Sequence, residues 1–122
     1  MTAGTAATAD AITGLLTGYT FTWTNEGELA GQLAAVLSAA GIDVRREARL
    51  GPRCRIDLLT GRVGIEVKVK GTAEDVARQL QRYAATGAVD ELVLATTRAA
   101  HRDMPAELGG VPVTVAYLVH LA

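Results

Sequence analysis

The chain has 122 residues, 49% of them hydrophobic, and its 12 Lys+Arg and 13 Asp+Glu leave a net charge of −1. That length fits one domain able to bury roughly two-thirds of its unfolded surface, and that composition excludes a disordered chain. No apolar run approaches the ~18 residues of a membrane span, so no membrane partner is expected.

Arg45 is the first basic residue, so the N-terminal stretch lacks the basic region of a secretory signal. A cytoplasmic location is the expectation. Cys54 is the only cysteine and reads as a small hydrophobe at the start of a strand.

The chain reads as a single domain, residues 1–122, in which the Ala-, Thr- and Gly-rich residues 1–17 form a flexible or weakly helical lead-in. Tyr19, Phe21 and Trp23 then alternate with Thr20, Thr22 and Thr24, a strand pattern. These aromatics are expected to cover the core, with base stacking or contact with a partner subunit as the alternatives. Thr24 or Asn25 is placed to cap a helix, with Glu26 and Glu28 in its first turn. Leu29, Leu33, Val36, Leu37 and Ala40 follow at helical spacing, and Gly41 ends the helix. Residues 42–50 read as a strand closed by the Gly51-Pro52 turn.

Residues 54–70 spell two strands around Thr60-Gly61-Arg62. In the first, Ile56 and Leu58 alternate with Arg55, Asp57 and Leu59; in the second, Ile65, Val67 and Val69 alternate with Glu66, Lys68 and Lys70. Thr72 to Asp75 has the form of a capping box and opens a helix with Val76, Leu80 and Tyr83 on its apolar stripe, running to about residue 85. Residues 91–96 are a nearly continuous apolar run, as in a buried central strand. Residues 98–110 read as a loop with room for a short helical turn, and 111–118 as a last strand. Pro112, with no N–H, calls there for an edge position or for pairing that starts after it. Helices interleaved with strands predict an α/β layer architecture, a mixed sheet flanked by helices.

Charge is unevenly placed. Residues 45–82 carry +5 and the rest of the chain −6, so a basic footprint for phosphates lies on an acidic body. Within it, a hairpin would set Asp57 on one face with Glu66 and Lys68. Burying charges there is costly unless they pair or bind metal. Two carboxylates suit Mg²⁺, which polarises a phosphoryl oxygen and makes bound water easier to ionise. A lysine beside them orients the attacking water or stabilises developing charge. These are the parts for phosphodiester hydrolysis.

Arg55-Ile56-Asp57, then Ile65-Glu66-Val67-Lys68, then a helix carrying Gln79 and Tyr83, resembles the PD-(D/E)xK nuclease superfamily over about residues 25–96. The resemblance implies a restriction-endonuclease-like αβββαβ core. It implies Asp57, Glu66 and the Val67 backbone carbonyl as ligands of Mg²⁺ or Mn²⁺, and Lys68 as the residue that activates water. Gln79 and Tyr83 resemble the Gln-x-x-x-Tyr motif of the RecB-like and lambda-exonuclease-like branch, near the site and the scissile strand. Glu28 matches a helix acid that serves in that family as a further ligand; as a first-turn acid it has an ordinary role as well. Ile56 stands where the name-giving proline would be, and the histidine that some RecB-like members carry before the strands is missing.

The expected function is therefore a metal-dependent deoxyribonuclease. Arg55, Lys70, Arg78, Arg82 and Tyr83 would contact the nucleic acid, and a homodimer is expected. The alternatives are a non-catalytic binding or structural subunit on the same fold, and a nuclease active only within a larger complex. Other chemistries fare poorly. Ser38 is the only serine and lies on a helix, and His101, His120 and one cysteine give no zinc spacing.

Overall fold

In a computed structural model that describes residues 7–120, the mixed sheet forms as expected. Its strands are β2 (Arg45–Gly51), β3 (Cys54–Thr60), β4 (Val63–Lys68), β5 (Glu91–Thr96), β6 (Glu107–Leu108) and β7 (Val111–Tyr117), in the order β2-β3-β4-β5-β7-β6. The β2–β3 and β3–β4 pairs are antiparallel, whereas β4–β5 and β5–β7 are parallel. Helices α1 (Ala9–Thr17) and α2 (Glu26–Ala39) lie against one face and α3 (Ala73–Ala85) against the other. This is the α/β class read from the sequence. Among the described residues, no helix is long and apolar enough to cross a membrane.

The caps set the helix ends. Asn25 Oδ1 accepts from the Glu28 amide at 2.8 Å and opens α2, and Thr72 Oγ1 accepts from the Asp75 amide at 3.1 Å and opens α3. Gly41, at φ 83°, supplies the left-handed residue that follows α2.

Three expectations need correction. The helix offered as one reading of the N-terminal stretch forms, but as a packed element and not a flexible or weak one: Ala9, Ile12 and Leu16, at i, i+3 and i+7, are buried in the core under α2. Residues 1–6 of the expected lead-in lie outside the described residues. The aromatic stretch gives only the two-residue β1 (Thr20–Phe21), paired in parallel with β8 (Val119–His120); Phe21 is buried, Trp23 half-buried and Tyr19 exposed. The third concerns Ile56 and Leu58, which were expected to share a face. Ile56 packs with Leu59 beneath α3, whereas Leu58 packs in the opposite core. Strand alternation breaks at Asp57, opposite Glu47, whose backbone has φ 49° and falls outside the β2–β3 pairs.

Pro112 fits the second of its two options. Parallel pairing of β7 with β5 starts at Val113, and Pro112 itself faces Glu107 of the short β6.

Gly64 marks the tightest approach beneath α3. A Cβ there would come within 2.6 Å of Ile56 Cδ1 and 3.2 Å of both Leu92 Cδ2 and Val89 Cγ1. Ile56 and Leu92 are fully buried, so neither side chain has room to yield. Gly64→Ala is expected to destabilise the fold by about 1–3 kcal/mol, read as a lower urea midpoint at unchanged slope. An unchanged midpoint would contradict this packing.

Candidate active site

The site forms where β3 and β4 part. Their pairing ends at Leu58 and Ile65, one step before Asp57 and Glu66 would face each other. Lys68 accepts, through its carbonyl, the Thr97 amide just beyond β5. Strand alternation then turns the amide and carbonyl of Val67 toward the gap that β3 has left. Asp57 Oδ2 accepts that amide at 2.8 Å, replacing the missing strand partner. The bend at Asp57 thus brings its carboxylate to the Val67 backbone and beside Glu66.

Glu66 is 3% exposed, and among the described residues no other Asp, Glu, Lys or Arg is buried. Tyr83 donates its hydroxyl to Glu66 Oε1 at 2.9 Å, and Lys68 Nζ lies 3.4 Å from Glu66 Oε2. Gln79 Nε2 donates to the Tyr83 hydroxyl at 2.8 Å. A chain Gln79–Tyr83–Glu66–Lys68 therefore fixes both oxygens of the carboxylate. The i,i+4 spacing of Gln79 and Tyr83 on α3 makes their contact possible.

Burial, and next the charge of Asp57, push the Glu66 carboxyl from 4.5 up to about 7, against the opposing pull of Lys68 and Tyr83. Burial also raises Asp57, with the Val67 amide opposing it. Tyr83 is raised as well, by burial first and the charge of Glu66 second, so its hydroxyl stays protonated and acts as a donor. Two neighbouring carboxylates with one lysine between them hold an excess of negative charge. Such a set of hard oxygens suits a small divalent cation, and Mg²⁺ commonly takes one or two carboxylates and keeps several waters. Asp57, Glu66 and the gap-facing carbonyl of Val67 are the groups positioned to hold it. Among the described residues no group of three or more His, Cys, Asp or Glu side chains assembles.

Two expected roles shift. Glu28 is occupied in capping its own helix: Oε1 accepts from the Thr24 amide at 2.8 Å. Glu26 is the α2 acid that reaches the site. Its Oε2 accepts from the Val69 amide at 2.9 Å, and its charge adds to the upward push on Asp57. The sequence held a signal for this division, because Glu28 sits three residues after the Asn25 cap, the reciprocal position of a capping box. Tyr83, expected to touch nucleic acid, is 3% exposed and committed to Glu66; it supports the carboxylate from behind.

The remaining expected contacts are on the surface. Arg55 is exposed and pairs with Glu47 at 3.4 Å, Arg78 pairs with Asp75, and Arg82 and Lys70 are exposed. Lys70 and Glu26 share a cavity of about 440 Å³ with Thr24, Asn25, Gly27 and Val69.

His101 was not singled out by its sequence context, yet it is fully buried. Its Nε2 lies 2.8 Å from the Gly71 carbonyl, which can only accept, so Nε2 carries the proton; Nδ1 lies 2.7 Å from Thr96 Oγ1. The ring ties the end of β5 to the loop between Lys68 and α3, and so braces the site from its far side. A lone histidine in a polar loop carries no periodic signal, which is why only the fold reveals it.

No family model, no curated protein and no solved structure matches this chain.

Proposed function

We propose that this chain is a metal-dependent nuclease of the restriction-endonuclease-like type, hydrolysing phosphodiester bonds in DNA. The observation that carries this reading is the parting of β3 and β4 at Asp57 and Glu66, with Lys68 at 3.4 Å from the buried Glu66 carboxylate. A sheet would ordinarily keep such a position apolar, and here three ionisable groups are held in one geometry.

Asp57, Glu66 and the Val67 carbonyl would hold Mg²⁺ or Mn²⁺, which would supply Lewis-acid stabilisation of the phosphate and a more acidic water. Lys68 stands beside the carboxylates, where its ammonium orients the attacking water and stabilises charge developing on the phosphate. Tyr83 and Gln79 fix the rotamer of Glu66. Glu26, through the Val69 amide, fixes the segment that follows Lys68.

The test is incubation of the purified protein with supercoiled, linear duplex and single-stranded DNA in Mg²⁺, Mn²⁺ or EDTA. Cutting that requires the cation supports the reading, and intact DNA of all three forms in both cations contradicts it. The same assay probes Tyr83→Phe. Losing the hydroxyl removes a donor to charged Glu66, so the acid limb of the pH–rate profile is expected to move to higher pH, with a stability loss of about 1 kcal/mol. An acid limb that stays in place would show that Tyr83 does not tune Glu66.

A further inference from the structure

Beside Glu66, the buried polar residues include Thr96 and His101, both with no exposed surface. Two apolar side chains would fill that space without the cost of burying polar atoms. A buried polar pair instead selects one arrangement of the chain around it, provided each of its atoms is satisfied. The place of this pair shows which arrangement is selected.

Thr96 is the β5 partner of Lys68 in the parallel β4–β5 ladder. Neighbouring strands lie about 4.8 Å apart and partners point to the same face, so Thr96 stands beside Lys68 beneath α3. His101, on the 3-10 helix Ala99–Asp103, closes over it. Thr96 Oγ1 accepts from the Arg98 amide at 3.0 Å, and its own proton goes to Nδ1 of the ring, 2.7 Å away. Nε2 donates to the Gly71 carbonyl at 2.8 Å. The ring therefore uses one acceptor and one donor at once, which the neutral form with its proton on Nε2 supplies.

Gly71 ends the stretch that carries the lysine of the site. Residues 68–71 leave β4 and lead to Thr72, the cap of α3. Three bonds hold them. The Lys68 carbonyl accepts from the Thr97 amide at 3.3 Å, the Val69 amide donates to Glu26 Oε2 at 2.9 Å, and the Gly71 carbonyl accepts from His101. The ring grips the end next to the Thr72 cap. A shift there is passed back along the backbone to Lys68, whose ammonium lies 3.4 Å from Glu66 Oε2.

We infer that His101 is a positioning residue for the cleavage reaction: its ring fixes residues 68–71 against β5 and so holds the Lys68 ammonium at Glu66. This rests on the nuclease reading for the reaction. It extends that reading with a residue that acts through Lys68 and touches neither cation nor DNA. Asp57, Glu66 and the Val67 carbonyl precede the gripped stretch, so the effect falls on turnover and not on cation or DNA binding.

The test is steady-state cleavage, in Mg²⁺, of the DNA form that wild type cuts, with each variant assayed below its unfolding transition. His101→Phe fills the space and offers neither bond; it is expected to lower kcat at least about tenfold, with KM and Mn²⁺ affinity within about twofold of wild type. His101→Gln offers one donor and one acceptor and should restore kcat to within about threefold. In a Lys68→Ala background, His101→Phe should change the residual rate by less than about twofold, because the two residues act as one unit. Thr96→Val removes only the hydroxyl and should lower kcat about threefold, which keeps the inference open to refutation where the phenylalanine variant does not fold.

Wild-type kcat in both His101→Phe and Thr96→Val overturns the inference. So does a loss confined to KM, a glutamine variant as slow as the phenylalanine one, or a further equal loss in the Lys68→Ala background, which would make His101 a structural residue only. Hydrogen exchange of the Val69 amide in metal-free protein separates the two levels. Exchange at least about tenfold faster in His101→Phe and restored in His101→Gln, beside a wild type that cuts no DNA, would overturn the nuclease reading and leave the grip on residues 68–71. Unchanged exchange would overturn the grip itself, whatever wild type cuts.

Discussion

Lys68→Ala is expected to lower metal-dependent DNA cleavage by at least about a hundredfold, the scale seen when one preorganised donor to a developing anion is removed. The reason is positional. Lys68 Nζ lies 3.4 Å from Glu66 Oε2 and is only 20% exposed, so its charge acts at short range in a site shielded from bulk solvent. The same substitution should not weaken cation binding. Lys68 already offsets the carboxylate charge, and removing it leaves more negative charge for the cation. Mg²⁺ should therefore raise the melting temperature of Lys68→Ala at least as much as that of wild type. Cleavage within threefold of wild type would remove Lys68 from the mechanism, and a lost cation effect would make it a structural partner of Glu66 alone.

The second large effect is on stability. In the folded state the Glu66 carboxyl is raised from 4.5 to about 7, so between those values the folded chain holds a proton that the unfolded chain has lost. Stability then falls as pH rises through this window, and the full penalty is present above pH 7. The difference corresponds to on the order of 3 kcal/mol. Metal-free protein is accordingly expected to unfold at lower urea at pH 8 than at pH 5, with the change centred between pH 5 and 7. Glu66→Gln should flatten that dependence, because the amide cannot ionise. Mg²⁺ at about a hundred times its Kd should return about 2.7 kcal/mol to the wild type at pH 8 by mass action, and at most about 1.4 kcal/mol to Glu66→Gln, whose site is weakened at least about tenfold. An equal slope in both proteins would place the ionisation elsewhere.

Much of this was legible in the sequence. The alternation of Ile65, Val67 and Val69 with Glu66 and Lys68 set those charges on the face beneath α3, and the caps at Asn25 and Thr72 fixed where the two helices flanking the site begin. Pro112, by lacking an N–H, called for an edge position or for pairing that starts after it, and pairing of the last long strand with β5 starts at Val113. The missing parts depend on contacts distant in sequence. Nothing local shows that alternation breaks at Asp57, which lies opposite Glu47 of the neighbouring strand, where the backbone turns to φ 49°. That break carries Ile56 to the other core, and it brings Asp57 Oδ2 to the Val67 amide. The division between Glu26 and Glu28 was present in the capping spacing, but only the position of Val69 shows which acid faces the site. The strands β1, β6 and β8 have two residues each, too few for a period of two to register.

The proposal as a whole depends on Asp57 and Glu66 closing on a divalent cation. The direct measurement is Mn²⁺ binding followed by electron paramagnetic resonance at pH 8, with wild type, Asp57→Asn and Glu66→Gln. One bound Mn²⁺ per wild-type chain, displaced by Mg²⁺ and weakened at least about tenfold in each variant, is the predicted result. Equal binding by all three proteins, or none by the wild type, would contradict the assignment of this carboxylate pair as a metal site.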